Sequence, residues 1–346
     1  HTCALDRQRL VHCWGANDAG QLGTGDTTSS VVPASVATER PLVRLAAGAA
    51  HTCALDPEGR AYCWGDNRWG QLGSGKRASS PTPVAVATDV RFERLAAGSR
   101  HTCGVTAQQR ALCWGDNFLG QLGLPRGIQA SHEPVAVPGL PDVVAISTGH
   151  GHSCALSVDS EGWCWGQNGS GQNGDGTLDH SHAPVAVLGG LRFTSIAAGD
   201  RFVCATSSSQ AWCWGGNATG ELGDGTNDGR GSPAPVLGGP WLQLSVSNQN
   251  ACGVLAADSL AYCWGLTPGT NAPQLFDPTI QFASIQAGLA HACGLTLAGE
   301  AYCRGDNARG QLGSGSMAPK VEAAVAFVGD GGSNQGTTLE SMNLAK

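Results

Sequence analysis

The sequence predicts an all-β chain whose seven repeats close into a ring, and three observations carry that prediction. A motif built on His-Thr-Cys-Ala-Leu recurs along the 346 residues with a period near 50. Each copy is followed about ten residues after its cysteine by a second cysteine, which opens a Cys-Trp-Gly run in all copies but the last. No segment carries a helical apolar period of useful length, whereas short extended runs alternate with glycine-rich turns. A unit of this kind cannot bury its apolar face alone and must stack on its neighbours, and seven units point to closure.

The third unit shows the elements in order. Leu95-Ala96-Ala97-Gly98 is a short apolar run ended by glycine, and His101-Thr102-Cys103-Gly104-Val105 is a second extended run. A turn leads to Ala111-Leu112-Cys113-Trp114-Gly115, then to Asp116-Asn117-Phe118-Leu119-Gly120-Gln121-Leu122-Gly123. After a variable polar loop, Pro134-Val135-Ala136-Val137 is the last extended run. These are four short strands separated by turn residues, as a four-stranded blade requires. Gly and Pro are abundant, but they recur at fixed offsets and so mark turns, not low complexity.

The opening cysteines are Cys3, Cys53, Cys103, Cys154, Cys204, Cys252 and Cys293, and their partners are Cys13, Cys63, Cys113, Cys164, Cys213, Cys263 and Cys303. In the second unit Asp56-Pro57-Glu58-Gly59 between the two is strong turn sequence. That places Cys53 and Cys63 opposite each other across a hairpin, where Cα atoms approach to about 4.5 Å, within reach of a disulfide. The spacing is one shorter at Cys204/Cys213 and one longer at Cys252/Cys263, a difference for a loop or a bulge to absorb. Free buried thiols and metal ligands are the rivals. Zinc sites usually bring Cys-x-x-Cys, which this chain lacks, so seven intrablade disulfides and an oxidising compartment are the favoured reading.

At this point the unit resembles the regulator of chromosome condensation repeat, with its Gly-x-x-His start, Trp-Gly-x-Asn middle and Gly-Gln-Leu-Gly end. The motifs stand at Trp14-Gly15-Ala16-Asn17 with Gly20-Gln21-Leu22-Gly23, from Trp64 to Gly73, from Trp114 to Gly123, and in weaker form from Trp165 to Gly174 and Trp214 to Gly223. The resemblance covers about residues 1 to 320 and implies a seven-bladed β-propeller. The sixth unit departs from it, running Trp264-Gly265-Leu266-Thr267-Pro268-Gly269 without the Gly-Gln-Leu-Gly block. The seventh has Arg304 in place of Trp, and Phe202 and Asn250 replace the recurrent His.

Residues 1–328 read as one propeller, and 329–346 as a C-terminal tail of uncertain origin. From Gly329-Asp330-Gly331 onward the tail resembles the start of the thiamine-diphosphate motif of dehydrogenase E1 α subunits. The sequence stops before that motif's downstream Asn and carries no large α/β domain, so no thiamine site and no cofactor are expected. The first blade begins at His1 without an inner strand of its own, and the apolar run Val321–Val328 is the expected clasp beside it.

Acidic side chains number 27 against 20 basic ones, giving a net charge of −7 with three lysines, so no electrostatic footprint for nucleic acid is present. No apolar run approaches the ~18 residues of a membrane span. Secretion, the periplasm or the cell surface is the expected location, with any export signal removed or never in this chain.

His1, His51, His101, His152 and His291 share one repeat position and so one circle about the axis. Because Phe202 and Asn250 break it, a structural role with the imidazoles hydrogen-bonded to backbone is favoured over a metal site. Gly70 to Lys76 has phosphate-loop spacing, but Arg77 follows the Lys and the other units lack it, so it is a repeat turn. Asp175-Gly176-Thr177 and Asp224-Gly225-Thr226 are better Asx-turns than calcium loops. Asn168-Gly169-Ser170 and Asn217-Ala218-Thr219 are formal glycosylation sequons that coincide with the repeat's structural Asn.

No Ser-His-Asp or paired-carboxylate arrangement stands out, so no enzyme activity is expected. A non-catalytic scaffold binding protein partners through variable loops is the favoured function, with Arg68, Trp69, Lys76, Arg77 and Phe118 as candidate contacts. A glycan-binding adhesin and a secreted enzyme inhibitor, like the β-lactamase-inhibiting propellers of the resembled family, are the alternatives.

Overall fold

The computed structural model describes residues 1–6, 8–208, 210–265 and 270–317, together with the backbone of strands 323–325 and 337–342. Seven four-stranded sheets are arranged as the blades of a β-propeller. The second blade shows the plan: Arg44–Ala47 is innermost, followed outward by His51–Leu55, Ala61–Gly65 and Ser80–Ala85, each antiparallel to its neighbour. The two middle strands are buried along their whole length because neighbouring blades cover both their faces, which accounts for the runs of small and apolar residues.

All seven disulfides are present, one per blade, with Cα atoms 4.0–4.1 Å apart. Each joins residues directly opposite in the central hairpin, as at Cys53↔Cys63. The register runs unbroken through Cys204↔Cys213 and Cys252↔Cys263, so the changed spacing is absorbed in the hairpin turns and not by a bulge.

Blades are joined by the conserved-spacing Trp and Gln. Trp64 Nε1 donates to the carbonyl of Gln21 in the preceding blade at 2.9 Å, and Trp114 does the same to Gln71 at 2.9 Å. The indole lies against the last glycine of the preceding Gly-Gln-Leu-Gly block. A Cβ at Gly73 would fall 2.7 Å from Trp114 Nε1, and its φ of +65° is one that glycine adopts without strain. Six of these tryptophans, Trp14 to Trp264, are fully buried. Trp64→Ala is expected to lower stability by about 3–5 kcal/mol and Trp64→Phe by about 1, since Phe keeps most of the packing and Gln21 retains the Thr52 hydroxyl as a donor. Urea titration checks this, and equal losses in the two variants would place the cost in the hydrogen bond instead of the packing.

The ring closes differently from the expectation. The strand beside Thr2–Asp6 is Thr337–Met342, which runs parallel to it, whereas Ala323–Val325 pairs with Ala301–Gly305 as the outer strand of the seventh blade. The expected clasp Val321–Val328 is thereby corrected. Its apolar run follows Gly313 at roughly the offset by which Ser80–Ala85 follows Gly73, so it completes its own blade first. Of the tail, 329–336 and 343–346 lie outside the described residues, and so the thiamine-motif resemblance does too, apart from the strand. Leu266–Gly269 of the sixth unit also lie outside them.

Candidate functional site

In each blade the turn between the two inner strands and the long loop between the two outer ones leave at the same end, because His51 pairs with Gly65. This end carries the variable loops. In the second blade the loop is wound on Asn67, whose Nδ2 donates to the carbonyls of Lys76 at 2.9 Å and Ala78 at 3.0 Å while its Oδ1 accepts from Leu72 N–H at 3.0 Å. The same buried amide organises the loops at Asn17, Asn117 and Asn217. A fixed hub with changing side chains outside it makes the loops rigid and individually different.

Two of those outward side chains are Trp69 (39% exposed) and Phe118 (69%), the only exposed aromatic residues among the described ones. They come from adjacent blades and line one depression of about 290 Å³ with Arg100, Asp116, Leu119, Gln121, His150 and Gly151. The Arg100 guanidinium lies 5.2 Å from the Trp69 ring centroid, a cation–π contact that steadies the indole. Arg68 is held by Asp66, with Nε to Oδ1 at 2.9 Å. Burial pushes the Asp66 carboxyl up, but hydrogen bonds from Arg68 and Gln71 outweigh this and hold it below the usual carboxylate range. Arg77 donates from Nε to His132 Nε2 at 2.8 Å, on the outer flank of the same loop, and neither it nor Lys76 lines the depression.

Trp69 and Phe118 are thus brought together, and Arg100, Asp116 and His150 join them unforeseen. The available signal was the pair of residues just before each motif His, which changes from Ala49-Ala50 to Ser99-Arg100, His150-Gly151 and Asp200-Arg201.

The family model of the RCC1-like domain matches residues 1–325. The chain belongs to the RCC1-like domain family. Among solved structures, this RCC1-like chain superposes on human WBSCR16 with TM-score 0.82 at 20% identity, covering 95% of this chain and 96% of that one. Prp20p of Saccharomyces cerevisiae, described for its binding to Gsp1p and histones, gives TM-score 0.78 at 20% identity over 92% of this chain and 86% of that one. Likeness at this level shows the fold. The human E3 ubiquitin-protein ligase HERC2 is 39% identical over 69 residues, 19% of this chain and only 1% of the ligase. Among the described residues no helix is long and apolar enough to cross a membrane.

In this RCC1-like propeller the histidine circle bonds differently from the expectation. His51 Nε2 meets Thr102 Oγ1 of the next blade at 2.9 Å, and that hydroxyl donates to the Gln71 carbonyl at 2.8 Å. His1 with Thr52 and His101 with Ser153 repeat the link at 2.9 Å each. The partner is a neighbouring hydroxyl, not backbone, because the strand start of the next blade presents Thr or Ser at contact distance. Since the hydroxyl proton goes to the carbonyl, the imidazole donates from Nε2. No cluster of His, Cys, Asp and Glu suited to a metal occurs among the described residues. Asp175 and Asp224 accept from the N–H of Thr177 and Thr226 at 3.0 and 2.9 Å, the Asx-turns expected. Asn168 and Asn217 are buried with their amide nitrogens committed to loop carbonyls.

Proposed function

We propose that this chain is a rigid, non-catalytic protein-binding scaffold, a single propeller domain that docks its partner on the variable-loop face between the second and third blades. The observation that carries the reading is the Trp69–Phe118 depression. A fold that buries most of its aromatic rings leaves these two exposed, side by side, around a cavity flanked by Arg100. Exposed aromatic and arginine anchors on a rigid support are what protein hot spots are made of. Arg68, Lys76 and Arg77 lie along the same loop and serve as the polar rim of the contact.

The seven disulfides argue for an oxidising compartment, and we read the chain as secreted or displayed on a cell surface. Similarly folded proteins include Prp20p, which binds Gsp1p and histones, and the ectodomain of the receptor kinase CR4 from Physcomitrella patens, which supports protein binding and an extracellular setting for this architecture.

The test is capture from the native extracellular material on immobilised chain, with mass spectrometry of what is retained. A protein held by the wild type and lost from the Trp69→Ala, Phe118→Ala double variant, with the melting temperature unchanged, is the expected result. Equal recovery on both moves the interface elsewhere, and retention of glycan without protein favours the adhesin reading.

A further inference from the structure

The inner strands enclose a channel containing a cavity of about 500 Å³. Its lining includes Arg44, Arg94, Thr194, Ser195, Gln243 and Gln286, and among the described residues no carboxylate. We propose that this cavity is a binding site for a small, multiply charged oxyanion, gripped by the guanidinium groups of Arg44 and Arg94.

The repeat places the two cations together. Arg44 lies opposite Leu55 and Arg94 opposite Val105, in each case two residues past the opening cysteine of the blade. They therefore stand at one height on adjacent inner strands. Continuing round the ring, that height is occupied by Ala145, Ser195 and Gln243, which leave space and supply hydroxyl and amide groups on the facing side. Both arginines are solvent-exposed, so neither is fixed by packing.

Some exposed arginines elsewhere pair with carboxylates, Arg110 with Asp142, Arg192 with Glu161, Arg230 with Asp224 and Arg309 with Asp18, while Arg40 and Arg100 lie over aromatic rings and Arg77 meets His132. Arg44 and Arg94 have no ion-pair partner among the described residues, although acids outnumber bases in the chain, 27 to 20. Covering apolar neighbours with the side-chain stem explains one such arginine, but not two like charges side by side in a cavity whose described lining carries no acid. An anion between them removes that repulsion, and the guanidinium fork matches the paired oxygens of a phosphate, sulfate or carboxylate. Protein walls around a one-sign cavity focus its field on a small ligand.

The site is separate from the aromatic depression. Arg44 opens its strand, which runs to Ala47 and turns at Gly48 on the variable-loop side, so the cations sit toward the opposite face.

Isothermal titration of the full chain with inorganic phosphate, sulfate and citrate, at constant ionic strength against chloride, tests this. Constant ionic strength keeps general screening out of the result. Saturable binding of at least one probe is expected, weakened about tenfold in Arg44→Gln and in Arg94→Gln and lost in the double variant. Trp69→Ala is expected to bind the probe as wild type does. The arginines are exposed, so melting in chloride should be unchanged by their substitution. Absence of saturable binding to all three probes, or equal binding by the double variant, overturns the assignment.

Discussion

Reduction of the seven disulfides is expected to unfold the propeller under conditions where the oxidised chain is fully native. Each bond closes a loop of only 9 to 11 residues, for which the loss of unfolded-chain entropy amounts to about 2.5 kcal/mol. Seven such terms are roughly 17 kcal/mol, above the 5–15 kcal/mol of net stability that a typical domain possesses. Every cysteine sulfur involved lies in a hairpin covered by two neighbouring blades, so reductant should act only after partial opening. Replacing one pair, Cys53→Ala with Cys63→Ala, should cost about 2–3 kcal/mol and leave the fold intact. Non-reducing peptide mapping should find Cys53 linked to Cys63, and guanidinium titrations with and without reductant measure the rest. Quantitative thiol labelling of the unreduced, denatured chain would contradict the pairing, and coincident titrations would contradict the stability role.

Acidification is expected to have the second largest effect. Burial pushes His51 down to about 4 and His101, His152 and His291 down to about 3, against about 6.5 for an unfolded histidine. The folded state refuses protons that the unfolded chain accepts, so the contribution is complete above pH 6.5 and is lost as pH falls from there toward 4 and 3. Each imidazole removes about 1.4 kcal/mol per pH unit in that window, and four together remove up to about 8 kcal/mol between pH 6.5 and 5. His152 has a further liability. Its neighbour in the next blade is Val203 where the other histidine-bearing units meet Thr or Ser, and neither of its ring nitrogens has a partner among the described residues. His152→Phe should flatten the pH dependence by about a quarter without loss of stability at pH 7, because the next blade already carries Phe202 at this position. Urea midpoints measured from pH 7.5 to 4.5 check the slope. A midpoint that does not move between pH 7 and 5 would show that the buried imidazoles do not set acid stability.

The blade plan, the pairing of cysteines and the loop positions were legible because they repeat, and one misread unit is corrected by six others. What the repeat hides is the link between units. Arg304 and the missing Gly-Gln-Leu-Gly block of the sixth unit read as two separate departures, yet each Trp donates to the carbonyl at the Gln position of the preceding blade, Glu221 in the case of Trp264. With the sixth block changed, Arg304 reaches the Phe276 carbonyl at 2.8 Å instead. Likewise Phe202 is followed in the next blade by Ala251, and Asn250 by Ala292, so the hydroxyl that serves the histidine is absent where the histidine is. These pairs stand from 28 to 49 residues apart and meet only because the ring sets consecutive blades side by side. The site was legible in part for the same reason. Trp69 and Phe118 are conspicuous in their loops, whereas Arg100 and His150 enter from turns of other segments, and the cations of the channel belong to an inner strand that reads simply as core.

The measurement that bears most directly on the scaffold reading compares two double variants of the full chain for affinity toward the captured partner and for melting temperature. Trp69→Ala with Phe118→Ala is predicted to weaken binding by about a thousandfold while melting as wild type does, since two anchors of this kind each contribute about 2 kcal/mol or more. His51→Ala with His101→Ala is predicted to melt lower while binding normally wherever it remains folded, because its imidazoles join blades and face no ligand. Binding lost on the histidine changes with folding intact, and retained without the two aromatic side chains, would contradict the account.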